Sequence, residues 1–189
     1  MSFVREESIV ARVTTQEASH LVLTAVGPDR PGLVRAISAV VLGATASVED
    51  SRMAILGGEF ALIMLVSGTE SAVSHVEREL AALEKDIGLR FLFKRTKPEA
   101  QRRASRHVIH VSGVDRPGIV HVVTDLLAKR AVNLASLDSR VMFAPDSGTP
   151  LFVLEAELEV PSEVTFGELE AELTRLSQDE NLDVSFDTL

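Results

Sequence analysis

Apolar and polar positions follow an order along the chain that predicts the same set of elements twice. In the first half, residues 20–26 are rich in β-branched and apolar side chains and predict a strand. Pro31 then opens a predicted helix with apolar residues at helical spacing. Two strands, an amphipathic helix and a closing strand follow, at residues 47–56, 59–67, 70–86 and 89–94. The order βαββαβ is typical of a ferredoxin-like unit, in which two helices cover one face of a four-stranded antiparallel sheet.

The second half of the chain repeats this pattern. The hexapeptide from Asp29 to Val34 (DRPGLV) recurs 86 residues later as DRPGIV, from Asp115 to Val120. The tripeptide Asp50-Ser51-Arg52 recurs 88 residues later, which predicts a slip of two residues that keeps side chains on the same strand faces. The last helix and strand recur at an offset of 93, so the second copy gains seven residues, many of them in the loop 144–150 that replaces the Gly57-Gly58 turn.

We therefore predict an α+β chain of two tandem ferredoxin-like domains. The predicted ranges are an N-terminal arm (1–19), a first domain (20–95), a basic linker (96–106) and a second domain (107–189).

The two predicted sheets differ on the face that the helices leave open. In the first, alternation points Ala61, Ile63 and Leu65 away from the helices, whereas the second has Val153, Glu155 and Glu157 there. An apolar open face favours a covering layer, so we expect the N-terminal arm, the other domain or a second subunit on the first sheet. The second face is expected to be hydrated.

Composition restricts the compartment and the chemistry. The 189 residues, 46% of them hydrophobic, suffice for one large or two small domains. The absence of cysteine excludes disulfides, iron–sulfur clusters, thiolate zinc sites and cysteine nucleophiles, and favours a reducing cytoplasm. Charged residues near the N-terminus interrupt any signal-peptide core, and the longest apolar run, residues 60–66, is far shorter than the ~20 residues of a membrane span. A cytoplasmic protein without a membrane segment is expected.

Charge argues against direct contact with nucleic acid, because 19 basic and 28 acidic side chains leave a net charge of -9. Residues 90–106 are locally basic, but no aromatic residues are interleaved and no helix-turn-helix is visible, so a solvated linker is favoured over an anion-steering segment. The five histidines lack metal-ligand spacing, and no phosphate loop, nucleophile elbow or plausible triad is present. We expect no catalytic residues, no metal and no cofactor.

The repeated Asp-Arg-Pro-Gly turn is the main candidate for binding chemistry. It lies between the first strand and first helix of each copy, where free amide groups at the helix N-terminus suit a carboxylate. The glycine has no Cβ to block an approaching molecule. Ordinary helix initiation explains one such turn, but two turns at equivalent places favour a ligand site.

The repeated turn, Asn133-Leu134 and the stretch from Val48 to Phe60 resemble a tandem pair of ACT domains, in particular those of the glycine cleavage system transcriptional repressors. This resemblance implies a non-catalytic regulator that binds a small amino acid, glycine or serine. It also implies that the protein modulates transcription by contacting a DNA-binding transcription factor, and we expect a homo-oligomer. The alternative is a free-standing ACT regulatory subunit of an amino-acid metabolic enzyme.

In that family the ligand lies where the turn of one domain faces the second strand of a neighbour. The resemblance thus implies two sets of ligand-binding residues: Asp29, Pro31, Gly32, Leu33, Ser47 and Val48 in the first domain, and Asp115, Pro117, Gly118, Ile119, Asn133 and Leu134 in the second. The first copy departs from the family in having Ser47 where asparagine is frequent. Serine has a shorter reach and lacks the amide's paired donor and acceptor, so weaker binding by the first copy is expected.

Overall fold

The computed structural model describes residues 18–97 and 104–188, which divide into two compact units on either side of residues 98–103. Unit 1 contains β1 (Ser19–Pro28), α1 (Leu33–Gly43), β2 (Ser47–Leu56), β3 (Glu59–Gly68), α2 (Glu70–Ile87) and β4 (Arg90–Thr96). Unit 2 contains β5 (Ala104–Val114), α3 (Ile119–Lys129), β6 (Asn133–Phe143), β7 (Pro150–Pro161), α4 (Phe166–Glu180) and β8 (Leu182–Thr188). The predicted fold class is confirmed.

Each unit has one four-stranded antiparallel sheet, with strand orders β2-β3-β1-β4 and β6-β7-β5-β8. Alternate residues of the two central strands of each sheet point at the helices and form the core, with Leu21, Leu23 and Phe60 fully buried in unit 1. Strands β2 and β6 are outer strands, and every residue of β2 is exposed. No helix in residues 18–97 or 104–188 is long and apolar enough to cross a membrane.

The range of the predicted linker overlaps a strand. Arg106 pairs with Glu159, so residues 104–106 form the start of β5. The predicted arm up to residue 17, and residues 98–103 of the predicted linker, lie outside the described residues.

The prediction that Pro31 opens the first helix is wrong by two residues. Helix α1 begins at Leu33, after Gly32, whose φ of 95° is left-handed. Helix α3 likewise follows Gly118, with a φ of 100°. The glycines are therefore required by the backbone itself, because other residues rarely adopt this conformation.

The predicted two-residue slip between the repeats is also wrong. Both edge strands have an irregularity at the same place, after Val48 in β2 and after Leu134 in β6. Beyond it, Asp50 pairs with Leu65 as Ser136 pairs with Glu157, so the offset remains 86. The repeated tripeptides are not structural equivalents. The extra residues of unit 2 do lie mainly in the β6–β7 connection, which spans 144–149 where unit 1 has only Gly57-Gly58.

The open sheet faces differ as predicted. In unit 1 the side chains of Ile63 and Leu92 are 50% and 74% exposed among other apolar groups. In unit 2, Glu155 and Asp187 flank His110 on the same face, with contacts of 3.5 Å and 3.2 Å.

Candidate functional site

The Asp-Arg-Pro-Gly turn is fastened in the same way in both units. The backbone N–H of Asp29 donates to the Gly58 carbonyl at 2.9 Å, and that of Asp115 donates to the Pro150 carbonyl at 3.0 Å. Each turn is thus tied to the neighbouring hairpin.

The arginine of the motif ties the turn to the end of the unit's second helix. Arg30 donates to the Asp86 carbonyl at 3.1 Å, and Arg116 donates to the Glu180 carbonyl at 3.1 Å and also to the Glu180 carboxylate. A cation at a helix C-terminus is favourable because it opposes the helix dipole. That these arginines bind a helix end was not predicted from the sequence. The signal available in the sequence was that the arginine recurs in both copies of the turn.

The N-termini of α1 and α3 have no capping side chain and no acidic residue in their first turns. The first helical hydrogen bonds are donated by the backbone N–H of Ala36 to the Gly32 carbonyl and by that of Val122 to the Gly118 carbonyl. The N–H groups of the three residues before each donor consequently lack a helical acceptor. In α2, by contrast, the Thr69 side chain accepts from Ala72 at the helix start. Helices α1 and α3 therefore offer free donors for an anionic group.

A shallow pocket lies at the N-terminus of α3. Its volume is about 460 Å³, and its lining residues are Asp115, Arg116, Gly118, Ile119, Val120, His121 and Phe152. Asp115 and the first residues of α3, whose amides lack helical acceptors, thus line one cavity. An amino acid carries the complementary groups, an ammonium and a carboxylate.

The pocket beside the turn of unit 1 is smaller and differently placed. It has a volume of about 270 Å³ and lies against the end of α2, lined by Pro28, Asp29, Arg30, Lys85, Asp86, Ile87 and Gly88. Neither Gly32 nor Leu33 lines it. Asp29 is thus the one predicted ligand-binding residue at this pocket.

Some predicted ligand-binding residues are committed to the core. The side chains of Leu33 and Ile119 are buried, so only their backbone can meet a ligand. Leu134 packs against the core of unit 2. Pro31 and Pro117 are exposed in the turns, immediately before the left-handed glycines.

At the start of the second strand, the residues of the two units differ. In unit 2, Asn133 Nδ2 donates to a Glu159 carboxylate oxygen at 3.0 Å, and Arg106 donates to the other oxygen at 3.4 Å. The side-chain oxygen of Asn133, Oδ1, is the acceptor that this residue can still offer a ligand. In unit 1, Ser47 and Val48 are exposed at the corresponding place.

The structure does not bring the turn and the second strand of one unit together. Asn133 is level with Arg106 of β5, because both pair with Glu159, whereas Asp115 follows Val114 at the other end of that strand. Eight residues of extended chain separate those levels, about 26 Å. Ser47 and Asp29 of unit 1 are separated in the same way, since Ser47 is level with His20. In each unit the predicted ligand-binding residues therefore form two separate groups, the turn and the strand start, which are called half-sites below.

Comparison with known proteins identifies both units. The ACT domain model matches residues 19–94 and 105–187. The chain is 37% identical over 130 residues to the glycine cleavage system transcriptional repressor of Escherichia coli (strain K12), covering 68% of each chain.

Two crystal structures share the two-unit fold over 92% of this chain. One, provisionally assigned as a glycine cleavage system transcriptional repressor, has 30% identity, a TM-score of 0.69 and 98% of its own chain covered. The other, a protein of unknown function from Galdieria sulphuraria, has 29% identity, a TM-score of 0.79 and 99% coverage.

Proposed function

The chain belongs to the ACT-domain family and is related to the glycine cleavage repressor, and we propose that it is a non-catalytic sensor of a small amino acid. In this proposal, glycine or serine binds the ACT units and alters a surface that contacts a DNA-binding transcription factor. The name of the 37% identical relative supports the transcriptional role.

The observation that carries the ligand proposal is the pocket at α3. There, Asp115 and the first residues of α3, whose N–H groups lack helical acceptors, line one cavity. The helix amides would hold the ligand carboxylate, and Asp115 would hold its ammonium group. Charge-assisted hydrogen bonds of this kind are stronger than neutral ones.

The preference for glycine or serine rests on the relationship to the glycine cleavage repressor. Phe152, Val120 and His121 also line the pocket, with His121 on the first turn of α3.

A complete site requires a second ACT unit, because one unit holds its half-sites at opposite ends. The exposed outer strands β2 and β6 would let another unit approach alongside. This requirement supports the expected homo-oligomer or a pairing of ACT units within the chain.

Isothermal titration calorimetry of the full chain with glycine, serine and larger amino acids tests the sensor. We expect glycine or serine to bind and Asp115→Asn to weaken binding by about ten-fold or more, since a charge-assisted bond contributes about 1.5–3 kcal/mol. Asp29→Asn is the matched control in unit 1 and is expected to have the smaller effect. Absence of binding by every amino acid at millimolar concentration would reject the proposal.

Capture from native lysate in the presence of the ligand tests the partner. Recovery of a DNA-binding protein supports the transcriptional role, whereas recovery of an amino-acid metabolic enzyme would favour the regulatory-subunit alternative.

A further inference from the structure

The open face of the unit 1 sheet, called the unit 1 face below, is an apolar surface with charges at its edges. Strand pairing aligns its residues in rows across the sheet. One row runs from edge to edge through Asp50, Leu65, Val22 and Lys94. The neighbouring row contains Ile63 and Leu92, both at least half exposed. Exposed apolar groups at this density mark an interaction site more often than an inert surface.

Unit 2 provides an internal control for this surface. The same register positions hold Glu155 in place of Ile63, Glu157 in place of Leu65 and Ser185 in place of Leu92. The same fold is therefore formed with a polar open face. The apolar side chains of unit 1 are not required by the fold, which indicates that they serve a contact.

One pair of charges at the two edges of the unit 1 face is complementary. Asp50 lies on β2 and Lys94 on β4, at one level across the sheet. Two copies can face each other across a two-fold axis that runs parallel to the strands. This symmetry places the β4 end of each row opposite the β2 end of the same row in the second copy. Lys94 of one copy then lies over Asp50 of the second copy. Arg52 is level with Leu92 of the second copy, and its aliphatic stem can pack there.

We propose that the unit 1 face binds the same face of a second copy of this chain, forming an isologous two-sheet dimer. Such sheets pack with their strands about 30° apart, at a spacing of about 10 Å. Four strands and seven residues of β1 span about 19 by 23 Å, or about 400 Å² per copy. A contact of this size is small for a protein interface, so the dimer is weak and dissociates reversibly. This contact is separate from the half-sites.

Sedimentation equilibrium of the full chain between about 1 and 200 μM tests the dimer. We expect a concentration-dependent mass for the natural sequence. Ile63→Glu and Leu92→Ser should each weaken the association by about ten-fold or more, because they remove apolar contacts or bury a charge. Both variants introduce residues that unit 2 already carries at these positions, so folding is preserved, as circular dichroism would verify. Glu155→Gln on unit 2 is the matched control and should leave the mass unchanged.

A charge exchange identifies the geometry. Lys94→Glu and Asp50→Lys should each weaken association, and the double variant should restore it, since the pair is re-formed with opposite signs. A monomer mass at every concentration would overturn the proposal. An Ile63→Glu variant that associates as strongly as the natural sequence would also overturn it. A third contrary result would be a monomer in which another part of the same chain protects the unit 1 face from hydrogen exchange. Ligand binding by Ile63→Glu, measured by calorimetry, should be unchanged, which separates this proposal from the sensor.

Discussion

A single left-handed glycine immediately precedes each of the helices α1 and α3. Its Cβ position is open in both units, so the requirement for glycine at Gly32 and Gly118 is conformational rather than steric. The sequence interpretation had placed the importance of these glycines in ligand access. The pattern of residues cannot distinguish the two reasons, because backbone angles are not visible in it.

Gly32→Ala should destabilise unit 1 by about 1–2 kcal/mol, because an L-residue is strained in the left-handed region. Gly43→Ala is the matched control in the same unit. Gly43 lies in α1, and its Cβ position is equally open, so alanine there should stabilise by about 0.5–1 kcal/mol. Urea unfolding followed by circular dichroism measures both. Equal effects of the two substitutions would contradict the conformational explanation.

His107 is the buried histidine of unit 2. Its ring stacks on Phe166 with centroids 3.6 Å apart, and its Nε2 lies 3.0 Å from the Ser105 hydroxyl. Nδ1 is buried without a partner among the described residues. Burial lowers the pKa of His107 below its ordinary value, because charging the ring would remove an ion from water. His110, three residues along β5, lies on the opposite face of the sheet, beside Glu155 and Asp187.

The stability of unit 2 should fall as the pH falls from about 7 to 5, because the unfolded chain takes up a proton at His107 near its usual pKa of about 6.5 and the folded chain does so only at lower pH. His107→Phe should reduce this slope while preserving the stack. Hydrogen exchange of peptides from β5 and α4 at several pH values measures it, with His75→Gln in unit 1 as the control. A slope unchanged in His107→Phe would assign the titration to other groups.

In the described part of the chain, helices α1 and α3 have no capping side chain and no acidic residue at their N-termini. Their first turns present valines, Val34 and Val120, with exposed fractions of 41% and 37%. Hydrophobic periodicity predicted both helices. It could not show the free donors, since capping depends on the few residues around the start.

Val120→Asp should raise the stability of unit 2 by about 0.3–1 kcal/mol and abolish ligand binding there. The new carboxylate satisfies the helix amides and opposes the dipole, in the place proposed for the ligand carboxylate. Val34→Asp makes the same change in unit 1. Thermal unfolding and calorimetry report the two effects separately, and loss of binding together with loss of stability would indicate misfolding instead.

The register of the edge strands was predictable only in part. The repeated tripeptides Asp50-Ser51-Arg52 and Asp138-Ser139-Arg140 suggested a slip that strand pairing excludes. Short sequence identity between repeats does not determine alignment when an irregularity lies nearby. Hydrogen bonding with the central strands does determine it.

The net charge of the whole molecule lies in unit 2. Residues 18–97 carry nine acidic and nine basic side chains, whereas residues 104–188 carry fifteen acidic and six basic ones. Self-repulsion of like charges opposes folding, and salt screens it. This asymmetry can be counted directly from the sequence, because charge is additive along the chain.

Raising NaCl from about 20 to 200 mM should therefore stabilise unit 2 more than unit 1, since the Debye length shortens over this range. Hydrogen exchange resolved by unit measures the difference at constant pH. Potassium chloride serves as the control for a specific sodium effect. An equal response of the two units would show that local ion pairs outweigh the net charge.

The division of the candidate site into half-sites was not predictable from one sequence. Asp115 and Asn133 are only eighteen residues apart in the chain, yet they lie at opposite ends of the sheet because α3 carries the chain from one end to the other. The family resemblance named the residues, and strand pairing showed their separation.

This separation makes ligand affinity dependent on the source of the second half. If another molecule supplies it, ligand binding and assembly are one linked equilibrium, and the apparent affinity rises with protein concentration. If the same molecule supplies it, the affinity is independent of dilution. Titrations of one ligand at two protein concentrations thus read out the connectivity of the site without a structure of the complex.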